Sequence, residues 1–296
     1  MPEYKQIAVL MGGPSAERAV SLNSGRAVAD ALRSVRYQVT AVDVTSTQLD
    51  LPPDVEAVFI ALHGTFGEDG QVQAILRERS IPYTGAGVEA SRLTFDKVAS
   101  KRCFEAHDLP TPAWEVLTAE STRSLPLPVI VKPACQGSSV GIHRVRSEES
   151  WQRAVNDAAQ FGEHILVEAY IEGRELTVGM VDNEVFPVLE ICAPDGCYDY
   201  RAKYTPGITD YKVPAPISEA CAQTCQALAQ SAFKALNGRD LLRVDFRMNP
   251  AGELFILEAN TIPGFTATSL LPKSAQAAGI EFAELCDRIM RMASVH

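Results

Sequence analysis

Between positions 241 and 260 the chain reads as two strands around Asn249-Pro250-Ala251-Gly252, and the residues on those strands leave few folds open. Proline and glycine in these places close a turn. With four residues in the turn, Met248 is expected opposite Glu253 and Arg243 opposite Glu258. Strand side chains alternate faces, so Arg243 and Asp245 share a side, as do Glu258 and Asn260, and this register makes it the same side. One face then carries three oxygen ligands and a guanidinium. Such a set suits Mg²⁺ bridging nucleotide phosphates, with the cation placed for charge that develops during transfer. An ordinary salt-bridged hairpin uses the same residue types, so the rest of the chain has to decide.

A chain of 296 residues, 46% hydrophobic, is long enough for two or three compact domains with real cores. Its formal net charge of −10 argues against nucleic-acid and anionic-membrane partners, so any anionic ligand must be held locally. The start, Met1 to Gln6, runs straight into a strand without a basic and apolar leader, and no apolar run reaches eighteen residues. A cytoplasmic protein is expected. Seven cysteines, odd in number and without a CxxC pair, indicate free thiols and neither a zinc ribbon nor a disulfide framework.

Strands are expected at 7–11, near 37–44 and at 56–62, with helices from about 18 to 34 and 69 to 79. This alternation predicts a parallel α/β layer whose loops at strand ends, Gly12-Gly13 and His63-Gly64, surround a ligand. Thr84-Gly85-Ala86-Gly87-Val88-Glu89-Ala90 mimics a dinucleotide fingerprint, but it follows the third strand and lacks the ribose-binding acid; a turn into a helix is expected instead. From about 94 a second unit begins: a helix to 108, strands at 114–117 and 126–133, a helix at 148–159 and a strand at 165–168. Strands at 174–181 and 184–191, a long polar loop at 193–212, a helix at 218–236, the hairpin and a last helix at 281–293 complete the chain. The boundaries are placed near 94 and 178.

Gln136-Gly137-Ser138-Ser139-Val140-Gly141, after a strand that ends in Lys132-Pro133, reads as a phosphate lid: glycines admit backbone N–H groups, serines add donors and Lys132 adds charge. It is no Walker loop, because no Gly-Lys-Ser/Thr opens a helix. The alternating acids Glu168, Glu172 and Glu175 end a strand whose edge and carboxylates suit an adenine amine and ribose hydroxyls. Tyr198-Asp199-Tyr200-Arg201-Ala202-Lys203-Tyr204, aromatic and basic within a long loop, is costly to order without a ligand and reads as a lid.

Taken in order, His63-Gly64-Thr65-Phe66-Gly67-Glu68-Asp69-Gly70, Ile81-Pro82-Tyr83-Thr84-Gly85, the Gly-Ser-Ser-Val-Gly loop, Tyr-Asp-Tyr-x-Ala-Lys-Tyr and Leu-Glu-Ala-Asn-Thr-x-Pro-Gly resemble the D-alanine–D-alanine ligases of the ATP-grasp superfamily. The likeness runs from Gly12 to Pro272. It implies an α/β (α+β) ATP-grasp fold of three domains, 1–94, 95–178 and 179–296, with ATP between the central and C-terminal domains. It also implies a homodimer that joins two D-alanine molecules through an acyl phosphate, with ATP and two magnesium ions, manganese as a substitute and potassium as an accessory ion.

The resemblance assigns roles residue by residue. Glu17 would grip the ammonium of the first D-alanine, with His63 beside it. Lys97 and Lys132 would hold phosphates together with Ser139, while Glu168 would meet adenine, the Ile171 backbone its edge and Glu175 the ribose. Asp245, Glu258 and Asn260 would bind magnesium. Arg243 and the Gly264 N–H would stabilise the oxyanion; Ser269 with Leu270, and Lys203, would orient the second substrate or the transferring phosphate. Glu17, Ser138 and Tyr204 would link lid to substrate. The chain departs from the family pattern at Arg201, often Glu; at Ala169, often Lys; and at Ala134-Cys135-Gln136 in the phosphate loop.

Overall fold

The computed structural model describes residues 4–137, 140–196, 198, 202–203, 205 and 207–296. Ser138, Ser139 and Tyr204, together with Asp199, Tyr200 and Arg201 of the expected lid, lie outside the described residues.

A parallel sheet forms first, from β1 (Gln6–Gly12), β2 (Gln38–Val44) and β3 (Ala57–Ile60), with α1 (Arg18–Ser34) as the crossover and strand order β2-β1-β3. Six of the seven β1 residues are buried, as a central parallel strand requires. Next come α2 (Gln71–Glu78), α3 (Val88–Phe95) and α4 (Lys97–Ala106). The single helix expected from 94 to 108 is broken at Asp96, whose extended backbone and carboxylate cap the new helix by accepting from the Val98 and Ala99 N–H groups. Gly87 opens α3, which bears out the turn-into-helix reading of the false fingerprint.

The second sheet is antiparallel, built from β4 (Trp114–Leu117), β5 (Val129–Pro133), β6 (His143–Val145) and β7 (Ile165–Ala169) in the order β4-β7-β5-β6, with α5 (Glu148–Ala158) packed on it. The third comprises β8 (Arg174–Val181), β9 (Glu184–Val185), β10 (Leu189–Cys192), β11 (Asp210–Lys212), β12 (Leu241–Met248) and β13 (Leu254–Asn260), with α6 (Glu219–Ala235) against it. Strand β8 crosses position 178, and all its partners belong to this third sheet. The strand expected at 184–191 is two short strands, β9 and β10, while part of the expected loop, Asp210–Lys212, pairs with β10. A helix not anticipated, α7 (Leu270–Ala277), precedes α8 (Phe282–Arg291). Leu271, Ala275, Leu285 and Ile289 join Val9, Val28 and Leu32 in one core, so the C-terminal helices return to the first sheet.

The hairpin register differs from expectation in two places. Its loop is three residues, with Asn249 N donating to Glu253 O at 3.0 Å and Gly252 N to Asn249 O at 2.9 Å. Gly252, at φ +85°, supplies the left-handed residue that such a loop needs, and Met248 lies opposite Leu254 instead of Glu253. A bulge between Asp245 and Phe246 then adds Leu257 to β13, so Arg243 faces Asn260 instead of Glu258, and Asp245 faces Glu258. Each one-residue slip by itself would turn β13 over; together they restore the face. The core records this: Leu254 and Ile256 are buried before the bulge and Ala259 after it, all in the same cluster as Val244 and Phe246.

Candidate active site

A cavity of about 640 Å³ opens where the first sheet, the hairpin and α7 meet. It brings together Glu17, His63, Lys97, Lys203, Arg243 and Glu258, along with Asn260, Gly264, Ser269 and Leu270. Asp245 on β12 and the paired Lys132 and Glu168 on β5 and β7 lie off its walls, as do Ile171 and Glu175, in and just after the linker between the second and third sheets.

The hairpin face is tied into one network. Arg243 Nε and Nη2 donate to the two Asp245 oxygens at 2.9 and 2.8 Å, and Thr177 Oγ1, across the ladder on β8, donates to Asp245 Oδ1 at 2.6 Å. Asn260 Nδ2 donates to Asp245 Oδ2 at 3.2 Å, so its carbonyl oxygen is the atom of that amide left to accept. Burial would raise the Glu258 carboxyl, but Lys97, Lys132, Lys203 and Arg243 outweigh it and hold the group well below the usual carboxylate range. Lys97 Nζ is 3.4 Å from Glu258 and donates to the Gln136 carbonyl at 2.7 Å, so α4 joins the hairpin to the phosphate loop. Two carboxylates, one ionised against burial, and an amide oxygen are the hard donors that suit Mg²⁺; Asp245, whose oxygens are taken up here by Arg243, Thr177 and Asn260, has to give up one of these bonds to join the set.

At the other wall, Glu17 packs against two glycines: a β-carbon at Gly137 would lie 2.3 Å from Glu17 Oε2, and one at Gly64 2.8 Å. The phosphate loop therefore touches the first-sheet loops through Glu17. His63 is buried, its Nδ1 3.1 Å from the Ile262 carbonyl and its Nε2 3.0 Å from Ser24 Oγ. A carbonyl only accepts, so Nδ1 carries a proton toward Ile262. Glu68 stands 3.5 Å from His63, and burial raises its carboxyl. Ser269 caps α7 while its Oγ accepts from Thr266 N at 3.1 Å, and Gly264 approaches it so closely that a β-carbon would sit 3.1 Å from that oxygen. Lys203 lies 5.3 Å from the centre of the Tyr198 ring, whose hydroxyl is 3.0 Å from that of Tyr211.

Glu168 is not open to a ligand. Its Oε1 is ion-paired with Lys101 and its Oε2 lies 2.5 Å from Lys132, all three side chains being buried. Burial would raise this carboxyl, but the two lysines bring it below its ordinary range. Sequence reasoning missed Lys101, Ser24, Glu68, Thr177 and Arg247. Lys101 falls one helical turn after Lys97, and Glu68 lies inside the His63 motif, so spacing held a signal for both. Ser24, Thr177 and Arg247 carried none, because only packing and strand pairing bring them in.

Comparison with known proteins agrees over the whole chain. A family model described as D-ala D-ala ligase N-terminus matches residues 6–51 and 45–86, and one described as D-ala D-ala ligase C-terminus matches 101–291. The D-alanine–D-alanine ligase of Methylacidiphilum infernorum is 42% identical over 97% of this chain and 95% of its own. That of Citrifermentans bemidjiense is 45% identical over 98% and 97%. Among solved structures, D-alanine–D-alanine ligase from Bacillus anthracis complexed with ATP superposes with a TM-score of 0.86 at 31% identity, covering 98% of this chain and 97% of that one.

Proposed function

This chain belongs to the D-alanine–D-alanine ligase family, and from that membership we propose how its residues join two D-alanine molecules at the expense of ATP. It is a carbon–nitrogen bond-forming ligase of the ATP-grasp fold, and its product, D-alanyl-D-alanine, enters peptidoglycan precursors. The observation that carries the assignment of roles is the hairpin face: Arg243, Glu258 and Asn260 line one cavity with Glu17, His63, Gly264 and Ser269, and Asp245 stands just behind them, hydrogen-bonded to Arg243 and Asn260.

Glu17, beside His63, holds the ammonium of the first D-alanine, leaving its carboxylate directed at the hairpin. That carboxylate attacks the γ-phosphorus of ATP, the bond to the β-phosphate breaks, and an acyl phosphate and ADP result. Lys97 and Lys132 draw negative charge from the phosphates, together with Ser139; Lys132 has to leave Glu168 to do so, and Lys101 remains to neutralise that carboxylate. Asp245, Glu258 and Asn260 would hold magnesium, which when bound would supply charge neutralisation at the nucleotide phosphates, with manganese as a substitute and potassium as an accessory ion.

The second D-alanine, oriented by Ser269, Leu270 and Lys203, attacks the carbonyl carbon as a free amine. Arg243 and the Gly264 N–H stabilise the tetrahedral oxyanion, and phosphate departs with the bond pair. Glu168, opened on one side once Lys132 turns to the phosphates, and the Ile171 backbone serve adenine, and Glu175 serves ribose, with the nucleotide between the second and third sheets. Ser138 and Tyr204 join Glu17 in closing the segment 198–204 over the acyl phosphate, which water would destroy. The proposed setting is the cytoplasm, where ATP is at hand, and the proposed assembly is the homodimer implied by the family. No described helix is long and apolar enough to cross a membrane.

The deciding experiment is phosphate release from ATP by the purified protein with Mg²⁺ and K⁺, first with D-alanine alone and then with D-serine or D-lactate added, with the product weighed by mass spectrometry. D-alanine-dependent release and a D-alanyl-D-alanine mass support the reading; no release under these conditions refutes it.

A further inference from the structure

Arg247 is the third residue on the hairpin strand that carries Arg243 and Asp245 on the same face, and the reaction just described gives it no task. An arginine near a strand end normally reaches for water, whereas this one is 7% exposed. Its Nη1 donates to the Gly173 carbonyl at 3.0 Å and its Nη2 to the Gly196 carbonyl at 2.6 Å. The guanidinium also lies 5.5 Å from the centre of the Tyr170 ring. Gly173 is fixed there as well: at φ +134°, a β-carbon would stand 2.1 Å from the Met248 carbonyl oxygen.

Glu175 faces Arg247 directly across the β8–β12 ladder, with Nη2 and Oε2 3.7 Å apart. At that separation the carboxylate is attracted without being hydrogen-bonded, so its lone pairs stay open to an incoming hydroxyl. The neighbouring pair on the same face is Thr177 and Asp245, about 7 Å along the strands. A nucleotide whose phosphates sit at Asp245 extends its sugar over such a distance.

We propose that Arg247 is a positioning residue for the nucleotide sugar: anchored to the carbonyls of the inter-sheet linker and of the loop that leads into the 198–204 segment, it fixes Glu175 for the ribose hydroxyls. This inference rests on the assignment of Glu175 to ribose. Burial pushes the Glu175 carboxyl up to about 7, and Arg247 is the foremost of the cations that oppose the rise, so removing Arg247 also weakens the acceptor.

The test compares kcat/KM for ATP with that for 2′,3′-dideoxy-ATP, which lacks both hydroxyls. A hydrogen-bonded, charged acceptor gives the unaltered enzyme a preference for ATP of about tenfold or more. In R247M that preference should fall toward one through a higher KM for ATP, with kcat and the KM for D-alanine little changed. R247K, which keeps charge but loses the two-pronged grip on both carbonyls, should fall between. E175L, which has no acceptor, should lose the preference outright. An R247M enzyme that retains the full preference while E175L loses it overturns the proposal and leaves the ribose assignment standing; an E175L enzyme that retains it removes that assignment, and the proposal with it. If R247M does not fold, an unchanged preference in R247K overturns the proposal.

Discussion

Two half-buried glutamates in the same sheet, Glu258 on β13 and Glu175 on β8, end on opposite sides of the ordinary carboxylate range. Burial drives both toward the neutral form. At Glu258 the four cations Lys97, Lys132, Lys203 and Arg243 reverse that push, while at Glu175 the opposition of Arg247 and Lys203 is countered by Asp245 and Glu258, and the carboxyl reaches about 7. The difference follows the ligand each meets in the proposed reaction. A magnesium ligand has to be ionised before the ion arrives, and a sugar partner only has to accept hydrogen bonds. One cleft thus sorts its acids by the number of cations around each.

Glu258→Gln strikes the heavily charged end hardest: with a ligand lost, kcat/KM should drop by more than the roughly 10²-fold that second-sphere changes around metals cost. Titrating activity against Mg²⁺ checks it, and saturation at the wild-type concentration would break the contrast. Arg243→Ala should lower kcat by about 10²-fold with circular dichroism unchanged, as loss of an oxyanion donor does. Near-normal turnover in that variant excludes the role given to Arg243. At the sugar end Glu175→Gln should raise the KM for ATP by about tenfold and leave kcat nearly intact, the cost of one charged acceptor. A fall in kcat instead would move Glu175 into the chemistry.

The smallest effect is on stability, and its sign differs between the two sites. Glu258, held below its unfolded value of 4.5, contributes stability that is present above that pH and is lost as pH falls toward its folded value. Glu175 is raised from 4.5 to about 7, so the folded state binds more protons within that window and stability falls as pH rises through it. For Glu175 the loss amounts to about 3 kcal/mol at most. Urea midpoints of the metal-free protein from pH 4 to 8 read both: Glu175→Gln should flatten the decline above 4.5, and Glu258→Gln should reduce the loss below it. Equal slopes in the two variants would end the comparison.

Strand-and-helix alternation in the first ninety residues was legible because burial on both faces of a parallel strand demands runs such as Ile7-Ala8-Val9-Leu10. Helix α7 was not legible. Leu270-Leu271-Pro272-Lys273 carries proline in its first turn, where it is tolerated, yet the apolar face shows only once the first sheet is there to receive Leu271 and Ala275. Of the site, the charged hairpin and the His63 motif were readable because charge and glycine are rare in strand interiors without a reason. Lys101 and Arg247, buried cations far along the chain from the acids they serve, were not.

Sequence by itself determined which chemistry the chain carries: hard oxygen ligands, phosphate-binding lysines and a guanidinium occur in an order that local alternation translates into faces. Tertiary structure alone decided which of these groups meet and how each is charged. The three-residue loop and the bulge at Leu257 set the register of Glu258 against Asp245, and neither slip is written in the alternation of residue types. Protonation was decided there too, because a carboxyl's charge depends on burial and on cations brought from distant strands and helices, and sequence neighbours supply neither.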